Sequence, residues 1–140
     1  MTDPIIYVED PSDEDRQAIL EQLIKSNLHR GPSPDLHRFA FELKSACGTT
    51  IGGLMGRTAY DWAVIELLYI PDSMRGTGIG RRLVGKAEEL ARNRRCIGIW
   101  LDTFSFQAPG FYQQLGYEVF GELSDNPVGQ SRYFLRKLLT

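Results

Sequence analysis

Three observations predict an α/β fold built on a mixed sheet. Apolar runs at residues 63–70 and 97–103 bracket a glycine loop and an amphipathic helix, and a strand, loop, helix, strand unit sets its two strands parallel through a right-handed crossover. Upstream, runs at 38–44, 49–57 and 63–70 are joined by turn signals near Cys47-Gly48 and Tyr60-Asp61, which marks an antiparallel meander. With 140 residues, 42% of them hydrophobic, the chain can bury one core without metal or disulfide support. One domain over 1–140 is therefore expected.

Taken in order, Ile5–Val8 reads as a first strand. Ser12 then offers an N-cap, and Asp13, Glu14 and Asp15 place acids in the first turn of a helix reaching about Ser26. Ile19, Leu20, Leu23 and Ile24 give that helix an apolar face. Gly31, Pro32, Ser33 and Pro34 make residues 27–36 a loop or a broken short helix. The meander follows, and Gly52-Gly53 inside its second strand predicts a bulge or a close backbone approach. Beyond the glycine loop, Ile79, Leu83, Ala87 and Leu90 recur at helical spacing. A buried strand at 97–103, a short helix around Tyr112, and strands at 117–120 and 132–138 complete the chain. Residues 124–131 are a turn-rich loop.

The net charge of −2 argues against general nucleic-acid binding, but the charge is uneven. Residues 1–21 hold seven acids and one arginine, whereas 75–95 hold seven basic residues and only Glu88 and Glu89 as acids. Arg92, Arg94 and Arg95 suit the C-terminal end of the helix dipole; Arg75, Arg81 and Arg82 lie nearer the glycine loop. There is no apolar run of 18 residues and no signal-peptide pattern, so a soluble, cytoplasmic protein without a membrane partner is expected. Cys47 and Cys96 lack partners at metal spacing and read as reduced, partly buried thiols. His29 and His37 are too few for a metal site, and none is expected.

The glycine loop carries the chemical signal. Residues 70–82 read Ile-Pro-Asp-Ser-Met-Arg-Gly-Thr-Gly-Ile-Gly-Arg-Arg, and glycines let backbone N–H groups turn toward an anion at a helix N-terminus. A dinucleotide fingerprint starting at Gly76 would need a small residue where Arg81 stands. A phosphate-binding loop running from Gly80 to Lys86 would need a hydroxyl where Ala87 stands, and its Gly85-Lys86 falls inside the predicted helix. The pattern [Q/R]-x-x-G-x-[G/A] fits Arg75-Gly76-Thr77-Gly78-Ile79-Gly80 at every fixed position. Downstream, Gln107-Ala108-Pro109-Gly110-Phe111-Tyr112-Gln113-Gln114-Leu115-Gly116-Tyr117 gives a short helix bearing Phe-Tyr and closed by Leu-Gly-Tyr.

These two motifs, in this order and one helix and one strand apart, resemble the signatures of the GCN5-related N-acetyltransferase superfamily. The likeness is specific over about 63–121 and elsewhere is one of element order. It implies the acyl-CoA N-acyltransferase fold, a mixed sheet of six to seven strands with helices on both faces. It further implies transfer of acetyl from acetyl-CoA to a primary amine by direct attack in a ternary complex. Arg75, Gly76, Thr77, Gly78, Ile79, Gly80 and Arg81 would hold the pyrophosphate. Leu68, Tyr69 and Ile70 would bind the pantetheine and the oxyanion through their backbone. Tyr112 falls where many members protonate the departing thiolate, and a phenol of ordinary pKa needs no special tuning for that.

Glu66, a carboxylate in an apolar strand, reads either as a general base for the amine or as a carboxylate paired with an arginine. Strict alternation puts it on the side of Leu68 and Ile70. Ser105 stands where the family often has an asparagine against the pantetheine arm; Gln107 could supply the contact instead, or cap the following helix. The acceptor is expected to be a small-molecule amine, with residues 27–36 and 124–131 shaping its pocket, and the acidic first helix could attract a cationic one. The rival readings are a protein N-acetyltransferase, a non-catalytic acyl-CoA sensor, or another nucleotide-binding protein using the same loop. Tyr133 and Phe134 suit either the core or packing in a homodimer.

Overall fold

The computed structural model describes residues 2–139, and the chain divides after Ser33 into two compact units. In the first, α1 spans Asp13–Arg30. The Ser12 hydroxyl accepts from the Asp15 N–H at 3.1 Å while the Asp15 carboxylate accepts from the Ser12 N–H at 2.9 Å, a complete capping box. The helix runs one turn past the expected Ser26, because Asn27–Arg30 contain no breaker before Gly31 and Pro32. The strand expected at Ile5–Val8 does not form. Four apolar residues between Pro4 and Pro11 make no ladder bonds, and β-propensity without a paired neighbour does not fix a strand.

The second unit is a six-stranded mixed sheet in the order β1-β2-β3-β4-β6-β5. Its strands are β1 (His37–Lys44), β2 (Thr50–Ala59), β3 (Trp62–Tyr69), β4 (Gly98–Phe104), β5 (Glu118–Ser124) and β6 (Ser131–Leu138). The meander β1-β2-β3 is antiparallel, β3 and β4 are parallel, and β6 lies antiparallel between β4 and β5. Gly52-Gly53 meets its expectation: the ladder slips at Leu43/Lys44, and a Cβ on Gly53, at φ +138, would strike the Phe41 carbonyl.

Helix α2 (Ile79–Asn93) and the short α3 (Pro109–Gln114) both pack on one face of this sheet. Leu83, Val84, Ala87 and Ala91 of α2 close over Ala63 and Ile65 of β3 and Ile99 and Leu101 of β4, all at most 5% exposed. Each large side chain buried there stabilises the unit by roughly 1.5–3 kcal/mol, so helix and parallel strands hold one another in place. Arg94 fixes the helix end, donating to the Thr58 hydroxyl at 3.1 Å and lying over the Phe39 ring. Cys96 is half-buried, whereas Cys47, expected partly buried, is exposed in the β1–β2 turn. Among the described residues no helix is long and apolar enough to cross a membrane.

Candidate active site

The sheet opens in its middle. β3 and β4 pair only from Trp62↔Gly98 to Ile65↔Leu101. Past that point β3 stays bonded to β2 through Leu68↔Leu54 and Tyr69↔Gly53, and β4 stays bonded to β6 out to Phe104↔Arg132. The facing edges of residues 66–69 and 102–104 therefore carry backbone groups with no ladder partner. Interior strands rarely leave such groups unpaired, and an extended ligand bearing amides can take them as an added strand would. Leu68, Tyr69 and Ile70 line the β3 side, with the Leu68 and Ile70 side chains packed on the core and the Tyr69 ring exposed.

At the end of β3 the chain makes a 3₁₀ turn at Asp72–Met74 and enters the glycine loop. Gly76 at φ +78 and Gly78 at φ +82 adopt left-handed backbone, which costs an L side chain roughly 1–2 kcal/mol. Gly78 is the N-cap of α2 and offers no capping side chain, so the first N–H groups of the helix are left for another acceptor. Arg75 braces the loop, its Nε donating to the Ile70 carbonyl at 3.0 Å and lying 3.3 Å from Asp72 Oδ1. The Thr77 hydroxyl donates to the Met74 carbonyl. Arg81, exposed on the first turn of α2, has no side-chain partner among the described residues. Gly80 allows three elements to meet: a Cβ there would lie 3.2 Å from the Phe111 ring of α3 and 3.7 Å from Ile70.

Tyr112 follows Phe111 on α3. It is 8% exposed, wedged edge-on against Phe111 and Tyr117, yet its hydroxyl has no hydrogen-bond partner among the described residues. Burial, joined by the nearby Asp102 carboxylate, pushes its phenol up to about 12, so the ordinary pKa expected from sequence does not hold. Tyr117, five residues on, is tied: its hydroxyl donates to Glu88 Oε2 at 3.3 Å, and burial with that carboxylate pushes it higher still.

The bulge in β3 corrects the expected orientation of Glu66. Gly56 faces Ile65 and Met55 faces Leu67, so Glu66 is an extra residue with no partner on β2. Ile65 and Leu68 thereby both reach the core, and Glu66 turns to the other face, where its Oε2 pairs with Arg57 at 3.0 Å. Asp102, which sequence reasoning passed over, alternates with the buried Leu101 and Thr103 and so faces the same way. Its Oδ1 pairs with Arg132 at 2.9 Å. A lone carboxylate in an apolar strand had singled out Glu66; the same signal was present in Gly98–Phe104. Two carboxylates thus flank the opening on the face away from α2, each braced by an arginine through one oxygen.

Ser105 and Gln107 lie at the end of β4. Gln107 Oε1 accepts from the Thr103 hydroxyl at 3.1 Å and the Phe104 N–H at 2.9 Å, folding the turn back on its strand instead of capping α3, whose first turn has no side-chain cap. Its amide NH₂ keeps its donors. Ser105 is committed to the β6 junction, donating to Gln130 Oε1 at 2.6 Å and accepting from the Ser131 N–H at 3.0 Å. His37 pairs with Asp35 at 2.9 Å.

Comparison with known proteins bears on the family and the fold. A family model described as "Acetyltransferase (GNAT) family" matches residues 5–117. The chain is 36% identical over 124 residues to acetyltransferase Atu2258 of Agrobacterium fabrum, covering 89% of this chain and 90% of that one. It is 37% identical over 116 residues to blasticidin-S acetyltransferase of Streptomyces morookaense, covering 80% and 85%. The crystal structure of a proposed acetyltransferase from Agrobacterium tumefaciens superposes with a TM-score of 0.91 at 33% identity, over 96% of this chain and 98% of that one.

Proposed function

This chain belongs to the acetyltransferase (GNAT) family, and on that premise we propose that it carries acetyl from acetyl-CoA directly to a primary amine of a small molecule. One observation carries the reading. Beside the unpaired opening between β3 and β4 stand an uncapped, glycine-lined helix N-terminus and, near Asp102 of β4, a buried tyrosine whose hydroxyl has no partner among the described residues. The amides of an extended arm suit the first, a pyrophosphate suits the second, and a departing sulfur suits the third.

Residues 76–81 would take the pyrophosphate through backbone N–H groups, with Arg75 and Arg81 adding charge. Backbone at 68–70 would orient the thioester and hold its carbonyl oxygen. Gln107 is better placed than Ser105 to meet the pantetheine, because Ser105 is already bonded on both sides. The amine would arrive on the face of Glu66 and Asp102. As its nitrogen bonds to the carbonyl carbon, its proton passes to Glu66 directly or through water, and negative charge builds on the oxygen. The C–S bond then breaks and the sulfur takes its proton from Tyr112.

The raised phenol qualifies that last step. Against an ordinary thiol near ~8.5, a donor at about 12 faces a gap of roughly 3.5 pKa units, about 5 kcal/mol for full transfer. The gap narrows where the thiolate is itself desolvated, since burial raises a thiol too. Tyr112 therefore gives its proton to a sulfur still shielded from water. The name of the blasticidin-S enzyme supports a small-molecule acceptor.

Calorimetric titration with acetyl-CoA, desulfo-CoA and ATP tests the cofactor, and thiol release across a panel of small amines tests the transfer. Acetyl-CoA should bind far more tightly than ATP, and at least one small amine should release thiol. No acetyl-CoA binding would refute the cofactor; binding without thiol release from any amine would favour a sensor.

A further inference from the structure

Glu88 is a buried carboxylate that the reaction above does not use. It lies on α2 between Ala87 and Ala91, 6% exposed, a position where a charge needs partners. Lys137 of β6 donates to its Oε1 at 2.8 Å, the Tyr117 hydroxyl donates to its Oε2 at 3.3 Å, and Arg92 stands 3.7 Å away. Lys137 also donates to the Leu115 carbonyl at 2.8 Å and lies over the Tyr117 ring. One carboxylate and one ammonium thus join α2, β6 and the turn that leaves α3.

That turn holds Tyr112 by two routes. The Tyr112 carbonyl accepts from the N–H groups of Leu115 at 3.0 Å and Tyr117 at 3.1 Å, so the turn fixes its backbone. The Tyr117 ring meets the Tyr112 ring edge-on, centroids 6.0 Å apart, and so limits where the free hydroxyl points. The same α2 begins at the glycine loop. The network therefore fixes the acid relative to the helix that would hold the cofactor's phosphates.

We propose that Glu88 and Lys137 are positioning residues for Tyr112, holding its hydroxyl in line with the departing sulfur. This rests on Tyr112 being the proton donor. The test is a double-mutant cycle on kcat with acetyl-CoA affinity measured alongside. Glu88→Gln keeps the volume but loses the charge, and misplacing a donor should lower kcat by about 10-fold or more with acetyl-CoA affinity held within about twofold. In a Tyr112→Phe background the same substitution should change kcat by less than about twofold, because there is no hydroxyl left to misplace. Tyr117→Phe, which removes one hydroxyl and keeps the ring, should show the same pattern and serves where Glu88→Gln lowers the melting temperature too far.

An equal fold loss in both backgrounds would make the network purely structural and overturn the proposal. Unchanged turnover in Tyr112→Phe alone would overturn both it and the acid, while acetyl transfer to an amine, if still observed, would leave that reaction standing.

Discussion

Two glycines on α2 invite opposite responses to one substitution. Gly78 is its N-cap at φ +82, and nothing lies within 4 Å of where a Cβ would go. Alanine there meets no clash in the free protein, so its whole cost is left-handed backbone, roughly 1–2 kcal/mol, less about 0.4–1 kcal/mol returned by a stiffer unfolded chain. The net is about 0.5–1.5 kcal/mol of destabilisation, a fall of roughly 2–6 °C in melting temperature for a chain of this size. Gly85 also has open space around its Cβ position, but it sits inside the helix with ordinary backbone. Alanine there should stabilise by about 0.5–1 kcal/mol, a rise of roughly 2–4 °C. Acetyl-CoA affinity separates them further, because the space beside Gly78 is where the phosphates would lie. Gly78→Ala should weaken binding by about tenfold or more, and Gly85→Ala should leave it unchanged. Scanning calorimetry and ligand titration on both variants suffice. Equal melting shifts, or equal affinities, would refute the assignment of this loop.

Tyr112→Phe should lower kcat by about 100-fold with little change in acetyl-CoA affinity, and matching losses in both would mark the residue as structural. Because its phenol lies at about 12, the wild-type rate should show no alkaline fall attributable to this group below about pH 11; a fall centred near 10 would mean an unshifted tyrosine. Glu66→Gln should flatten the alkaline rise of the rate, and an unchanged profile would assign proton removal to solvent. Hydrogen bonds from Ser45 and Thr49 lower the Cys47 thiol to about 7, while burial raises that of Cys96. Iodoacetamide at pH 7 should modify Cys47 first, read by peptide mass spectrometry; preferential labelling of Cys96 would contradict the placement of that turn.

The sheet of residues 37–138 was legible because its signals are local. Period-two runs, a 3.6-residue stripe on α2 and the glycines after Ile70 each fix an element from its own residues to within a residue or two, except that β5, expected to end at Phe120, runs on to Ser124. Glu66 shows where locality ends. Its direction depends on the bulge opposite Met55 and Gly56, where a Cβ on Gly56 would run into the Val64 carbonyl and the Phe39 ring. That constraint involves three strands at once. Counting back by twos from Leu68 therefore reached the wrong face. The capping alternative for Gln107 failed similarly: a polar residue before a helix can read as a cap, but here Thr103 and Phe104, brought back by the turn, claim its oxygen.

Tyr112 and Tyr117 mark the same boundary in chemistry. Both are buried aromatics five residues apart, and the motif that names one names the other. What separates them is Glu88, 29 residues before Tyr117, and Lys137 on the last strand. The carboxylate takes one hydroxyl, and the other has no partner among the described residues, so under the proposed function one tyrosine belongs to the scaffold and the other keeps its proton to give. No local pattern encodes that division, because it arises only when α2, β6 and the turn after α3 meet. A buried charge that would otherwise be a cost to the fold would, under that proposal, divide the labour between two similar residues.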